Sequence, residues 1–322
     1  MLKARISAIF LIVILLFLSV PAMAWDENGH KITAYIAWQR MTPEVRDRVI
    51  KTLLAAPEDS DLATFFAGYG SRSPDSRRRE YFMTIATWPD IIRDKNFNTR
   101  YTKYHHGDWH YADTLWKYEK GKSVLVEQQG DGLAITKLHE FDSLIRGTAS
   151  DAEKAVAIAW LEHLVGDIHQ PLHASGKVTD TNAKGDQGGN LFLLTPKGTP
   201  RDKQENLHWF WDSIVVRYSP NLKDQCDADF LDPIAQEMMS KYPYDKMKDR
   251  LQPRNFEAWA KESLDISMTE VYKDVKWFEM PSDKYKKKAF EIAQERMALA
   301  GYRMGDLFNQ AFGTAPVPVA VK

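Results

Sequence analysis

The chain has 322 residues, 44% of them apolar and 27% charged, with a formal net charge of −1. That length buries a core unaided, and the composition excludes a disordered, collagenous or multi-span membrane protein. Near-neutral charge also excludes a polyanion binder that works by overall basicity, so any affinity for phosphate must be local; bound cations would add charge that this count does not see.

In chain order, the first element reads as a leader. Lys3 and Arg5 precede an apolar run over residues 9–20, too short to span a bilayer comfortably, and Ala22-Met23-Ala24 is an A-x-A cleavage signal. Cleavage there predicts a mature chain that starts at Trp25, exported to a periplasm or secreted, with a charge of about −3. Cys226 is the sole cysteine, so no internal disulfide forms, and an exported fold must then rest on its core, on metal, or on both. No later stretch is apolar and long enough to span a membrane. Nothing in the sequence points to an obligate protein partner.

Helical signals dominate the rest. Ile32, Tyr35, Ile36 and Met41 predict a helix over 30–41, and Thr42-Pro43 forms an N-cap and N1 pair that opens a second to about Leu54. Residues 57–80 are mixed, with the polar run 71–80 expected as a solvated loop. Pro89 predicts an extended approach to Asp90. A helix is expected over 132–145, and another over 152–168 with Asp151 as its N-cap and Pro171 closing it. Residues 174–204 predict a loop with at most a small hairpin around 191–194. Helices resume near 205–218, 229–241, 255–275 and 282–312, and the tail 314–322 is expected to fray. With no repeat and no linker, the reading is a single compact all-α domain over 25–313.

The strongest chemical signal is His163-x3-Asp167 followed by His173. Residues four apart on a helix share a face, so His163 and Asp167 can grip one ion, while Pro171 lets His173 turn back towards a neighbouring one. His208-x3-Asp212 repeats the pattern. Imidazole and carboxylate are ligands that suit zinc. A surface ion pair explains either pair alone, but less readily both together. Asp90 in Thr-Trp-Pro-Asp, His110 in Trp-His-Tyr-Ala-Asp, and His30, five residues after Trp25, are weaker candidates singly. His169 points away from His163 and Asp167 by helical phase, which favours packing over ligation, and His105, His106 and His139 have no partner pattern.

Taken in order, Trp25-x4-His30, Thr-Trp-Pro-Asp90, His110-Tyr-Ala-Asp113, His163-x3-Asp167-x5-His173, Gly188-Gly189-Asn190 and Asn206-Leu-His208-x3-Asp212 resemble the zinc-dependent single-strand-specific nucleases of the S1/P1 type. The likeness runs from Trp25 to about Asp212, with an echo at Ala300-Gly301-Tyr302-Arg303-Met304. It implies an all-α fold of the type shared with zinc phospholipase C, and three zinc ions per chain. Trp25, through its amine and carbonyl, would join His30 at one ion. Asp90, His110, His163 and Asp167 would hold a second, with Asp167 bridging to the first. His173, His208 and Asp212 would hold the third. The resemblance further implies Asp90 as the group that orients water, Arg93 as the charge that neutralises phosphate, and Tyr111, Asp113 and Asn190 as a nucleobase pocket. The expected activity is hydrolysis of single-stranded DNA and RNA to 5′-phosphate products, with 3′-nucleotidase activity. A zinc phospholipase C acting on phosphatidylcholine-type lipids is the alternative, and a non-catalytic periplasmic zinc-binding protein a second. Asp at 212 and the short spacing from Trp25 to His30 favour the nuclease.

Overall fold

The computed structural model describes residues 25–66, 73–223 and 225–313. The expected leader and the expected frayed tail lie outside them. Thirteen α-helices and three short strands are present among the described residues, so the all-α expectation is met, and no helix there is long and apolar enough to cross a membrane.

Helix α1 (Glu27–Arg40) starts where the Asp26 carboxylate accepts the Gly29 N–H, and it is buried from Gly29 to Trp38. A helix buried all round belongs at the centre of a bundle. Its partner is α13 (Asp283–Phe312), capped by Ser282 and buried along most of its second half. The two backbones approach so closely that a Cβ on Gly301 would fall 2.5 Å from Ile36 Cβ, and one on Gly305 would fall 2.6 Å from Arg40 Cβ. The second central helix, α7 (Asp151–Asp167), has Ser150 as its N-cap, one residue before the position expected. Ser150 and Glu153 form a reciprocal capping box there. α2 (Pro43–Leu53) and α6 (Ala134–Arg146) flank this pair, near their expected bounds.

Several expectations are corrected. The polar run after residue 73 is helix α3 (Pro74–Ile85), capped by Ser73. Its C-terminal half is buried, while Arg77 lies over the Phe66 ring and Arg79 over Tyr35 and against Asp232, so charged residues cover a helix that lacks an apolar stripe. Pro89 does not extend the chain. It occupies the first turn of α4 (Trp88–Ile91), where its missing N–H is harmless. α5 (Asn98–Tyr104) follows. The hairpin is not at 191–194, where one isolated bridge joins Leu193 to Asn206. It is β1 (Thr114–Glu119) against β2 (Lys122–Gln129), joined by Lys120-Gly121, both at positive φ, and β1 also pairs in parallel with β3 (Ser175–Lys177). The helix expected over 205–218 breaks at Ser213 into α8 (Leu207–Asp212) and α9 (Ile214–Tyr218). α10 (Asp227–Lys241), α11 (Tyr244–Met247) and α12 (Phe256–Ile266) complete the set, and α12 ends in a π-turn over Ser267–Val271.

Candidate metal centre

Six elements deliver the candidate ligands to one interior point. His30 comes from the first turn of α1 and Asp90 from α4. His110 closes a 3₁₀ turn (Gly107–Trp109), His163 and Asp167 come from α7, His173 lies on a 3₁₀ turn (Pro171–Ala174), and His208 and Asp212 come from α8. All the imidazoles are buried, as are Asp167 and Asp212. They form three groups in which one ligand atom per residue lies within 4.8 Å of the others: His30 with Asp90 and His163; His110 with His163 and Asp167; His173 with His208 and Asp212.

The first two groups share His163. Its Nε2 lies 2.9 Å from His110 Nδ1, 3.4 Å from Asp167 Oδ2 and 3.7 Å from Asp90 Oδ1, and the His30 ring stacks on it at 4.0 Å. The other Asp167 oxygen reaches His30 Nε2 at 3.3 Å, so this carboxylate faces both groups. Gly166 makes room for the stack, since a Cβ there would sit 2.7 Å from His30 Nδ1. In the third group His173 Nε2 and His208 Nε2 are 3.0 Å apart, with Asp212 Oδ2 3.3 Å from the latter.

Outer hydrogen bonds orient these rings. His163 Nδ1 meets the Ala86 carbonyl at 2.8 Å, His173 Nδ1 the His110 carbonyl at 2.7 Å and His208 Nδ1 the Gly188 carbonyl at 2.7 Å. A carbonyl only accepts, so each Nδ1 carries the proton and each Nε2 turns a lone pair inward. Two such lone pairs at 3.0 Å cannot bond to each other; a cation between them resolves the conflict. Both oxygens of Asp167, both ring nitrogens of His30, His110 Nε2 and Asp212 Oδ2 are buried without a hydrogen-bond partner. Orphaned polar atoms at this density are costly unless they serve as ligands. Burial holds the imidazoles of His30, His110 and His163 well below their ordinary pKa, hence neutral, and pushes the carboxyls of Asp90, Asp167 and Asp212 up. A divalent ion would favour the charged carboxylates and offset that burial cost. The donor set fits a metal.

Trp25 is fully buried, and the N–H of Asp26 donates to the Asp212 carbonyl at 2.9 Å, which pins the first described peptide unit to the third group. Burial raises the Asp26 carboxyl to about 6. Arg93 Nη2 meets Asp90 Oδ1 at 2.8 Å.

A cavity of about 420 Å³ opens onto the third group. Arg93, His173 and His208 line it along with Tyr111, Asp113 and Asn190, so Arg93 and the candidate base-contacting residues share one chamber, with Asp90 reaching it only through its ion pair with Arg93. Burial, with Asp186 and Asp131 nearby, raises the Asp113 carboxyl to about 8. Asn190 donates to the Gln187 carbonyl at 2.9 Å and accepts from Asn206 at 3.4 Å. A larger surface hollow of about 570 Å³, by Phe210, Tyr218 and Lys287, is shallower and lined by none of the ligand residues.

His105, Asp131, Lys184 and Gln187 also line the chamber, and sequence reasoning singled out none of them as site residues. His105 showed no partner pattern in the sequence, and it arrives by way of α5, which the sequence did not reveal. His169 lies away from the ligands as expected: its ring contacts the Val165 carbonyl and Arg303 Nη1, both at 2.7 Å.

The S1/P1 Nuclease family model matches residues 25–313. Among curated proteins, the chain is 22% identical to Endonuclease 4 of Arabidopsis thaliana over 92% of its own length and 91% of the relative's. It is 24% identical to Endonuclease 1 of the same plant over 96% and 94%. Nuclease S1 of Aspergillus oryzae is 25% identical over 59% of this chain and 53% of that protein.

Proposed function

The chain belongs to the S1/P1 nuclease family, and from that premise we propose that it is a zinc-dependent phosphodiesterase that cleaves single-stranded DNA and RNA to 5′-phosphate products and also acts as a 3′-nucleotidase. The observation that carries this reading is the pair of inward lone pairs on His173 and His208, 3.0 Å apart on the wall of the chamber that also holds Arg93 and Asp113. A tetrahedral zinc with Zn–N bonds of about 2.05 Å places two ligand nitrogens roughly 3.3 Å apart, close to this and to the other inter-ligand distances.

His173, His208 and Asp212 would hold one ion, Asp90, His110, His163 and Asp167 a second, and Trp25 with His30 and Asp167 a third. When bound, zinc supplies Lewis-acid charge to phosphoryl oxygens and acidifies water. The protein does the rest. Asp90 takes a proton from the attacking water and orients it, and Arg93, already ion-paired with Asp90, forks onto the phosphate as charge builds. Tyr111 offers a ring to one base, while Asp113 and Asn190 meet its edge. A chamber of about 420 Å³ suits one unpaired nucleotide, and a base must leave its duplex to enter.

Residues 1–24 as a cleaved leader belong to the same proposal, because only a chain starting at Trp25 offers an α-amine there. Single-stranded DNA and RNA, duplex DNA, a 3′-nucleotide and phosphatidylcholine, each with and without chelator, test the activity. Chelator-sensitive cleavage of single strands is expected. Turnover of lipid alone would replace the nuclease with a phospholipase C, and no turnover would leave a zinc-binding protein. Elemental analysis should find about three zinc per chain.

A further inference from the structure

Gln170 lies between the two halves of the ligand set and is fully buried. It follows the turn that closes α7 and precedes the turn that carries His173. Its backbone N–H donates to the Asp167 carbonyl at 2.9 Å, and its own carbonyl accepts the His173 N–H at 3.1 Å. Its side-chain oxygen accepts the Leu172 N–H at 2.5 Å, and its side-chain nitrogen donates to Asp212 Oδ1 at 2.6 Å. All four polar groups are thereby spent on candidate ligands or on the turn between them.

The amide's orientation follows from chemistry. The Leu172 N–H can only donate, so the atom facing it is the oxygen, and the nitrogen must face Asp212. A glutamine amide does not ionise, so this donor persists at every working pH. Oδ1 spends one lone pair on that amide and lies 3.9 Å from His173 Nε2, whereas Oδ2 has no hydrogen-bond partner and faces His208 Nε2 at 3.3 Å, so Oδ2 is the oxygen left fully available. From the other side, the neighbouring His169 is clamped to α13, its carbonyl accepting from Arg296 at 3.1 Å and its ring held by Arg303 at 2.7 Å, so the turn has little freedom to shift.

We propose that Gln170 is a positioning residue that orients the Asp212 carboxylate so that Oδ2 is presented to the His173–His208–Asp212 centre, and that it fixes that centre's spacing from Asp167. A carboxylate that binds through one oxygen would take up one position on an ion held there, which would leave room for a phosphate oxygen. This rests on the metal-dependent reading above.

The experiment compares wild type with Q170E, which sets a carboxylate against Asp212, and Q170M, which fills the space without either hydrogen bond. Zinc per chain and the affinity of each ion are measured by chelator competition, together with kcat, KM and the melting temperature of the chelator-stripped protein. The expected result is a selective loss: one ion bound about 10- to 100-fold more weakly, the others unchanged, and kcat reduced more than KM changes. A merely structural role predicts a lower melting temperature in the stripped protein with all ions equally affected, and that result overturns the proposal. So does wild-type affinity in both variants. If Q170E does not fold, Q170M decides. A wild-type protein that holds no ion at this centre would sink the metal-dependent reading itself, a failure distinguishable from that of Gln170 alone.

Discussion

Arg93 and Asp113 line one chamber and, in the proposed reading, would serve opposite ends of a nucleotide. If Arg93 neutralises phosphate, R93A should lower kcat by about 100- to 1,000-fold, and R93K should lose less, because it keeps the charge without the fork. Equal activity in R93A would remove Arg93 from the mechanism. Asp113 gives a pH test. Its folded-state pKa of about 8 lies above the ordinary 3.8. Between those values the folded protein keeps a proton that the unfolded chain has lost, so stability falls as pH rises across that window. With zinc saturating, the melting temperature of wild type should drop more between pH 6 and pH 8 than that of D113N, and parallel slopes would contradict the assignment. The candidate ligands His163, Asp167, His208 and Asp212 were legible in the sequence because His-x3-Asp on a helix fixes two donors on one face. Asp131, Lys184 and Gln187 were not, since residues on turns acquire a direction only from the backbone that folds around them.

At the scale of elements, α7 and α8 bring whole ligand pairs, whereas α4 and the 3₁₀ turns bring single residues. The long helices could be read from cap and period; α3, α4 and α5 could not. α3 is held by arginines lying over aromatic rings, a stabilisation that leaves no apolar stripe in the sequence. The hairpin escaped notice because Lys120-Gly121 is not among the strong turn dipeptides and Glu and Gln end β2. Gly166 ties α7 to α1 through the His30 ring. G166A should therefore push the ring aside, with a stability cost of about 1–3 kcal/mol from overpacking. The ion that uses His30 should bind more weakly as well. Thermal melts with and without zinc check both, and an unchanged zinc affinity would show that the ring accommodates the methyl group.

Across the whole molecule, the candidate centre is a large part of what the core encloses. Asp167 and Asp212 are buried against imidazoles, with no arginine or lysine on either carboxylate among the ion pairs of the described residues. Stripping metal should therefore cost stability as well as activity. An ion present at 1,000 times its Kd contributes about 4 kcal/mol, so chelation should lower the melting temperature markedly, and zinc should restore it. A melt unmoved by chelator would mean that the core stands without ions.

The contact between α1 and α13 has a consequence for biogenesis. His30 enters near the beginning of the domain, yet the helix carrying it is wedged against Gly301 and Gly305, close to the end. Pairing across so great a sequence separation is slow, and it waits for the ribosome to release the final helix. A chain cut short before α13 therefore has no seat for α1, so its candidate centre should stay unfinished and a nuclease of this family should stay inactive until the last helix is made.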